Sequence, residues 1–165
     1  MIVSIYGTNL RGGSVAVNGI SLMLFYVGDN QINALLPETS AIVAPLTVTT
    51  ATGKSSVNLV FTTAVPAVFT LDSSGTGPAA VIRTANVISL FLTGLGFSTN
   101  PTVTIAGVPT TINYAGRAPV YAGLDQINFV IPAADASGAP LPAGVPLPVV
   151  VQAGGHISNT TTVTL

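Results

Sequence analysis

A nine-residue pattern occurs twice in this chain and constrains it more than any other feature. One copy is Asp29-Asn30-Gln31-Ile32-Asn33-Ala34-Leu35-Leu36-Pro37, the other Leu124-Asp125-Gln126-Ile127-Asn128-Phe129-Val130-Ile131-Pro132. In each, a Gln-Ile-Asn triplet opens an alternating apolar run that a proline stops. A period of two is the signature of a half-buried β-strand, here with Ile127, Phe129 and Ile131 on one face and Gln126 and Asn128 on the other.

The flanks repeat as well. Residues 2–6 followed by Gly7 match residues 89–93 followed by Gly94, and 14–17 with Asn18-Gly19 match 102–105 with Ala106-Gly107. Asn-Gly between alternating apolar runs is a strong hairpin signal, because both residues tolerate positive φ. Residues 20–27 read as one returning strand, and Tyr114 falls where Tyr26 does. A loop through Pro45 follows the first Gln-Ile-Asn strand. Each copy closes with a hairpin, 46–50 with 57–62 about Thr52-Gly53-Lys54, and 147–152 with 160–165 about Gly154-Gly155. The second copy carries seven extra residues, Arg117-Ala118-Pro119-Val120-Tyr121-Ala122-Gly123, before its Gln-Ile-Asn strand. Between the copies, 65–71 and 78–82 flank Asp72-Ser73-Ser74-Gly75 as a further hairpin, too apolar for a free linker.

No window sustains helical spacing, and 12 Pro with 17 Gly punctuate short Val, Ile, Thr and Phe runs. The expected fold is all-β: two tandem β-sandwich modules, 1–64 and 65–165 with the 65–85 hairpin in the second, related by internal duplication. Residues 1–64 are near the size at which a lone core is marginal. The modules are therefore expected to pack on each other, or the first to use a strand upstream of Met1.

Charged residues make up only 5% of the chain, where about a quarter is usual. Four basic residues against five acidic ones cannot neutralise a row of phosphates, which argues against nucleic acid and anionic membranes as partners. Gly, Pro, Thr or Asn interrupts every apolar run before the roughly 18 residues of a membrane helix, so no membrane insertion is expected. There is no cysteine for disulfides or thiolate metal sites. Met1 leads straight into a strand-like run with no export signal. The chain reads either as cytoplasmic or, preferably, as a piece of a longer exported protein.

The run Val3-Ser4-Ile5-Tyr6-Gly7-Thr8-Asn9-Leu10, the Val-x-Val/Ile-x-Gly hairpin strands and the later proline-stopped strand resemble the immunoglobulin-like domains of the IPT/TIG group. With Pro66-Ala67-Val68-Phe69-Thr70, Leu92-Thr93-Gly94-Leu95-Gly96, Tyr114-Ala115-Gly116, Gly123-Leu124-Asp125-Gln126-Ile127-Asn128 and Ser158-Asn159-Thr160, nearly the whole chain looks like the tandem C-terminal region of large secreted proteins of acidobacterial genomes. That resemblance implies two immunoglobulin-like sandwiches at the end of an exported protein, and transfers no catalytic residue. The stretch 83–87 is shorter than the usual spacer of that family.

Candidate sites are few. His156, the only histidine, stands beside the predicted Gly154-Gly155 turn, without the Gly-x-Ser-x-Gly elbow that would go with a serine nucleophile. Asp29 and Asp125 read as a repeat-equivalent pair with a shared role at the strand entrance rather than as the carboxylates of a glycosidase. No acidic cluster suits calcium. Gln31, Asn33, Gln126 and Asn128 could present amides to a sugar, but read more simply as bonding neighbouring loops. Gly94-Leu95-Gly96 lacks the helix of a phosphate loop. The extra loop is the best place for specificity, because it adds a guanidinium (Arg117) and an aromatic ring (Tyr121) ahead of Asp125.

The leading expectation is a non-catalytic extracellular or cell-surface module, structural or adhesive, with no cofactor and no metal. Its partners would be domains of its parent protein, or further copies meeting through strand edges that lack Lys guards. Alternatives are a carbohydrate-binding module that holds polysaccharide with residues 117–123, and a hydrolase using Ser, His156 and Asp.

Overall fold

The structure, a computed structural model, describes residues 1–39, 42–98 and 100–165. The described residues contain no helix, hence none long and apolar enough to cross a membrane. The chain divides into two compact units, Met1–Thr62 and Thr63–Leu165, both antiparallel β-sandwiches.

The first unit holds β1 (Ile2–Tyr6), β2 (Ser14–Val17), β3 (Ile20–Ser21), β4 (Leu24–Val27), β5 (Gln31–Leu35), β6 (Val43–Thr50) and β7 (Gly53–Val60). They form one sheet ordered β1-β5-β4 and another ordered β3-β2-β6-β7. The second unit begins with β8 (Ala67–Val68), β9 (Val81–Thr84), β10 (Val87–Thr93), β11 (Thr102–Ile105) and β12 (Val108–Pro109). It continues with β13 (Thr111–Arg117), β14 (Asp125–Val130), β15 (Pro146–Ala153), β16 (His156–Ile157) and β17 (Thr161–Thr164). One sheet runs β13-β14-β10-β8 with β9 also on β10, the other β12-β11-β15-β16 with β17 also on β15.

Alternation decides which side chains fill each core. Ile32 and Ala34 of β5, and Ile127 and Phe129 of β14, are fully buried, while their Gln and Asn neighbours face outward and are half-buried. Burying each large apolar side chain contributes about 1.5–3 kcal/mol. Around these strands close Leu10, Val15, Val17, Leu46 and Val48 in the first unit, and Leu90, Leu92, Val103, Ile105, Val149 and Val151 in the second.

The pairing registers establish the duplication. Tyr6 opposes Gln31 and Ser4 opposes Asn33, as Phe91 opposes Gln126 and Ser89 opposes Asn128. A bulge interrupts the ladder just before Tyr26, and another just before Tyr114, so both tyrosines stand beside the Asn of their triplet. The hairpin turns agree: Asn18-Gly19 has φ of 50° and 81°, Ala106-Gly107 has 52° and 78°. Pro45 and Pro148 accept from the N–H of Asn18 and Ala106, just past the ends of the β2–β6 and β11–β15 ladders, so their nitrogens face the hairpin turn and the missing N–H takes no bond from β7 or β17.

Four expectations need correction. Residues 20–27 are not one strand: the chain leaves β3 for the other sheet at Leu22 and Met23, whose bonds go to Val15 and Leu35. The loop through Pro45 is shorter, since β6 starts at Val43; its residues 40 and 41 lie outside the described ones. Residues 2–6 match 87–91 rather than 89–93, because Tyr6 and Phe91 oppose the Gln of their triplets. The short 83–87 stretch closes as a tight turn with Ala85 at φ 54°, which seats β9 on β10 with Thr84 opposite Val87.

The second unit has one part that the first lacks among the described residues. From Ala64 to Ala80 the chain lays β8 on β10, Val68 opposite Leu92, turns at residues 72–75, and returns so that Ala79 N–H donates to Thr162 O and Thr162 N–H to Gly77 O. One segment thus bonds to both sheets and closes the side between β10 and β17, burying Ala64, Val68 and Ala79. Asn159 pins it: Oδ1 accepts from Val68 N–H at 2.7 Å, and Nδ2 donates to Val68 O at 3.0 Å and Gly75 O at 2.7 Å.

Candidate functional site

The extra loop leaves the second unit's first sheet through Arg117 and returns through Asp125, which oppose each other across β13 and β14. Arg117 was expected in the loop, yet it is the last residue of β13. Two main-chain bonds fold the loop on itself, Ala118 N–H to Leu124 O at 2.9 Å and Leu124 N–H to Tyr121 O at 3.2 Å. The Tyr114 hydroxyl donates to Arg117 O, and the Thr93 hydroxyl to Gly123 O at 2.9 Å. On the other side Asp125 Oδ2 accepts from Leu95 N–H at 2.9 Å, fixing the Gly94-Leu95-Gly96 bend. Arg117 and Asp125 therefore hold the two ends of the loop.

Glycine leaves room for the anchoring ring. A Cβ at Gly116 would stand 3.1 Å from the Tyr114 hydroxyl, and one at Gly28 would collide with the hydroxyl of Tyr26. The same Tyr-x-Gly arrangement thus exists in both units, and only the second uses it to support a loop.

What the loop offers outward is apolar. With Phe91, Leu124 and Gln126 beneath, Ala118, Pro119, Val120 and Tyr121 line an open groove of about 370 Å³. Val120 is 77% and Tyr121 69% exposed. The one amide in the groove is engaged, since Gln126 Nε2 donates to Asn128 Oδ1 at 2.7 Å. Gln31 Nε2 does the same to Asn33 Oδ1, also at 2.7 Å. These amides were expected to bond neighbouring loops; they bond each other along the strand, because residues two apart share a face. Phe91 was missed as the groove floor, although alternation through 87–93 places it with Ser89 on the outer face.

The two aspartates are not equivalent. Gln31 is opposite Tyr6 and Gln126 opposite Phe91, so the residue matching Asp125 is Asn30. Asp29 lies one residue earlier and pairs with Arg11 at 2.6 Å on the surface. That side-chain hydrogen bond and charge hold the Asp29 carboxyl below its ordinary range. Ser74 does the same to Asp72, and Ser137 with the Ala139 N–H to Asp135. His156 is exposed on β16. Among the described residues, no three His, Cys, Asp or Glu side chains come together as metal ligands would.

No protein-family model matches the chain, and no curated protein does. Solved structures give weak likenesses over almost its full length. SGBP-B from the mixed-linkage glucan utilization locus of Bacteroides ovatus, solved with a mixed-linkage heptasaccharide, is 15% identical at a TM-score of 0.39, over 99% of this chain and 42% of that one. Gamma-CGTase from alkalophilic Bacillus clarkii is 17% identical at 0.34, over 98% of this chain and 22% of that one. A tandem pair of titin Ig domains is 10% identical at 0.32, over 99% and 87%. This chain thus spans less than half of the SGBP-B and CGTase chains, and likeness of this degree carries nothing about ligand or activity.

Proposed function

We propose that the chain is a non-catalytic, structural or adhesive part of an exported protein, and that it makes a protein contact through the groove beside β10 and β14. The observation that supports this is the division of labour in the loop. Its ends are held by main-chain bonds and by Asp125, and its tip displays Val120 and Tyr121 over Phe91. A fixed apolar depression with an aromatic wall suits burial of a protein side chain. The resemblance of the tandem to C-terminal regions of secreted proteins supports an extracellular or cell-surface location and an IPT/TIG-like ancestry.

Polysaccharide is the second reading, favoured by the exposed Tyr121 ring beside Gln126. A sugar needs several polar partners besides a stacking face, and this groove has few. Sedimentation velocity over a concentration series, run alongside a glycan array with the chain and Tyr121→Ala, separates the readings. The protein-contact reading expects concentration-dependent association or capture by a parent-protein domain, reduced in Tyr121→Ala, with no retained glycan. Glycan retention abolished by Tyr121→Ala would replace it with the sugar reading. A strict monomer that neither partner nor glycan engages would end both.

A further inference from the structure

Among the described residues the first unit repeats the plan of the second with one side open. In the second unit Phe91 N–H donates to Ala80 O, Phe91 O accepts from Phe69 N–H, and Thr162 exchanges bonds with Gly77 and Ala79. The registers identify the counterparts. Tyr6 matches Phe91, because both face the Gln of the triplet. Asn58 matches Thr162, because they oppose Pro45 and Pro148 respectively.

Among the described residues no such segment lies at the counterparts. Gly7 N–H bonds to Asn30 O, so alternation turns the N–H and C=O of Tyr6 away from β5. Pro45 O accepts from Asn18, which turns those of Asn58 away from β6. Among the described residues β1 pairs only with β5 and β7 only with β6. Between these two edges runs a groove of about 450 Å³, whose walls include Ile5, Tyr6, Leu46, Val48 and Val57. It lies where Val68 and Ala79 sit in the second unit. The exposure of matched residues shows the difference: Val57 is 56% exposed, and its counterpart Thr161 is 0%. An apolar side chain thus stands in solvent at a position that the closed copy buries completely.

We infer that this groove is a strand-accepting site: it binds an extended, mainly apolar polypeptide segment other than residues 1–165, which adds main-chain bonds to Tyr6 and Asn58 and buries small side chains over Val48 and Val57. The occupant's chemistry is set by the segment that fills the same place in the second unit, where Ala64, Val68 and Ala79 are the buried residues. Small apolar residues must point inward, because the space is bounded by the two sheets. Main-chain pairing supplies affinity and the inward side chains supply selectivity, as in other added-strand complexes. Tyr6 and Val57 on its walls are 74% and 56% exposed, so the strand enters from solvent. This site is independent of the loop groove of the second unit.

The test uses the full chain, labelled with 15N, and a synthetic peptide of residues 63–80. Saturable shifts at Ser4, Tyr6, Val57 and Asn58 are expected. At a peptide concentration ten times Kd, exchange of the Tyr6 and Asn58 amides should slow about tenfold. Val57→Asp, a change at a largely exposed position, should abolish both effects while leaving the rest of the spectrum in place. A peptide carrying Asp in place of Val68 should not bind. Absence of shifts at millimolar peptide, or shifts confined to the second unit, would overturn the proposal. The same amides becoming protected with rising protein concentration, without peptide, would also overturn it and assign the edge to pairing between copies.

Discussion

Replacing Asn159 by alanine should be among the more damaging polar-to-alanine changes in the second unit. One side chain there makes three hydrogen bonds to the closing segment, at 2.7, 3.0 and 2.7 Å, with partners that are themselves partly buried. A neutral bond of this kind contributes about 1 kcal/mol net, and a donor or acceptor left without a partner costs about 1–3 kcal/mol more. Water regains part of the site, so the expected loss is about 2–4 kcal/mol. For a unit of this size that lowers the melting temperature by roughly 10–20 °C. Urea titration of the full chain, followed through resolved amide resonances of each unit, separates the second unit's transition from the first. The midpoint of the second should fall while that of the first stays fixed, and amide exchange at Val68, Phe91 and Thr162 should accelerate with it. Asn159→Asp sharpens the test. It keeps one acceptor but directs a carboxylate at the carbonyls of Val68 and Gly75, so it should match or exceed the alanine change at neutral pH and recover as acid protonates it. An Asn159→Ala protein within 0.5 kcal/mol of the parent would refute the idea that this amide fastens the segment.

Further outcomes follow from the same geometry. Gly96→Ala should cost the second unit about 3 kcal/mol, because Gly96 has φ +54° and a Cβ there would collide with Thr63 O; the check is the same urea titration. Tyr114→Phe should cost about 1 kcal/mol by removing the bond to Arg117 O, and should mobilise residues 117–123 in amide relaxation measurements. Tyr121→Ala, at a largely exposed position, should leave stability within about 0.5 kcal/mol. Stability should be nearly flat from about pH 5 to 9 and fall only in acid. Asp29, Asp72 and Asp135 have lowered pKa values in the folded state, so their contribution is present above the ordinary carboxylate range and fades as pH drops through the lowered values. All three are exposed and screened, so calorimetry across that range should show a shallow decline. A steep loss near neutral pH would contradict this.

Much of the fold was legible because it depends on period and punctuation. The alternation around Ile32 and Phe129, the turns at Asn18-Gly19 and Ala106-Gly107, and the recurrence of Gln-Ile-Asn are local signals, and they determine sheets, faces and duplication. The break between β3 and β4 was not legible, since residues 20–27 are apolar on both sides of the crossing and alternate nowhere clearly. Pro45 was misread as loop because its effect depends on which strand edge its nitrogen faces, a tertiary property. At the candidate site the loop was visible as an insertion, and Tyr121 with it. The roles of Arg117 and Asp125 were hidden, because a carboxylate that accepts a main-chain N–H thirty residues away leaves no mark in local sequence. The open side of the first unit was foreshadowed only by its small size.

One plan is built twice, and among the described residues 64–80 close the second copy while the matching side of the first stays open. Hydrogen exchange of the isolated chain at low concentration measures that difference directly at matched positions. The account predicts that the amides of Phe91 and Thr162 are protected, and that those of Tyr6 and Asn58 exchange nearly as fast as in an open chain. Equal protection at all four would contradict it.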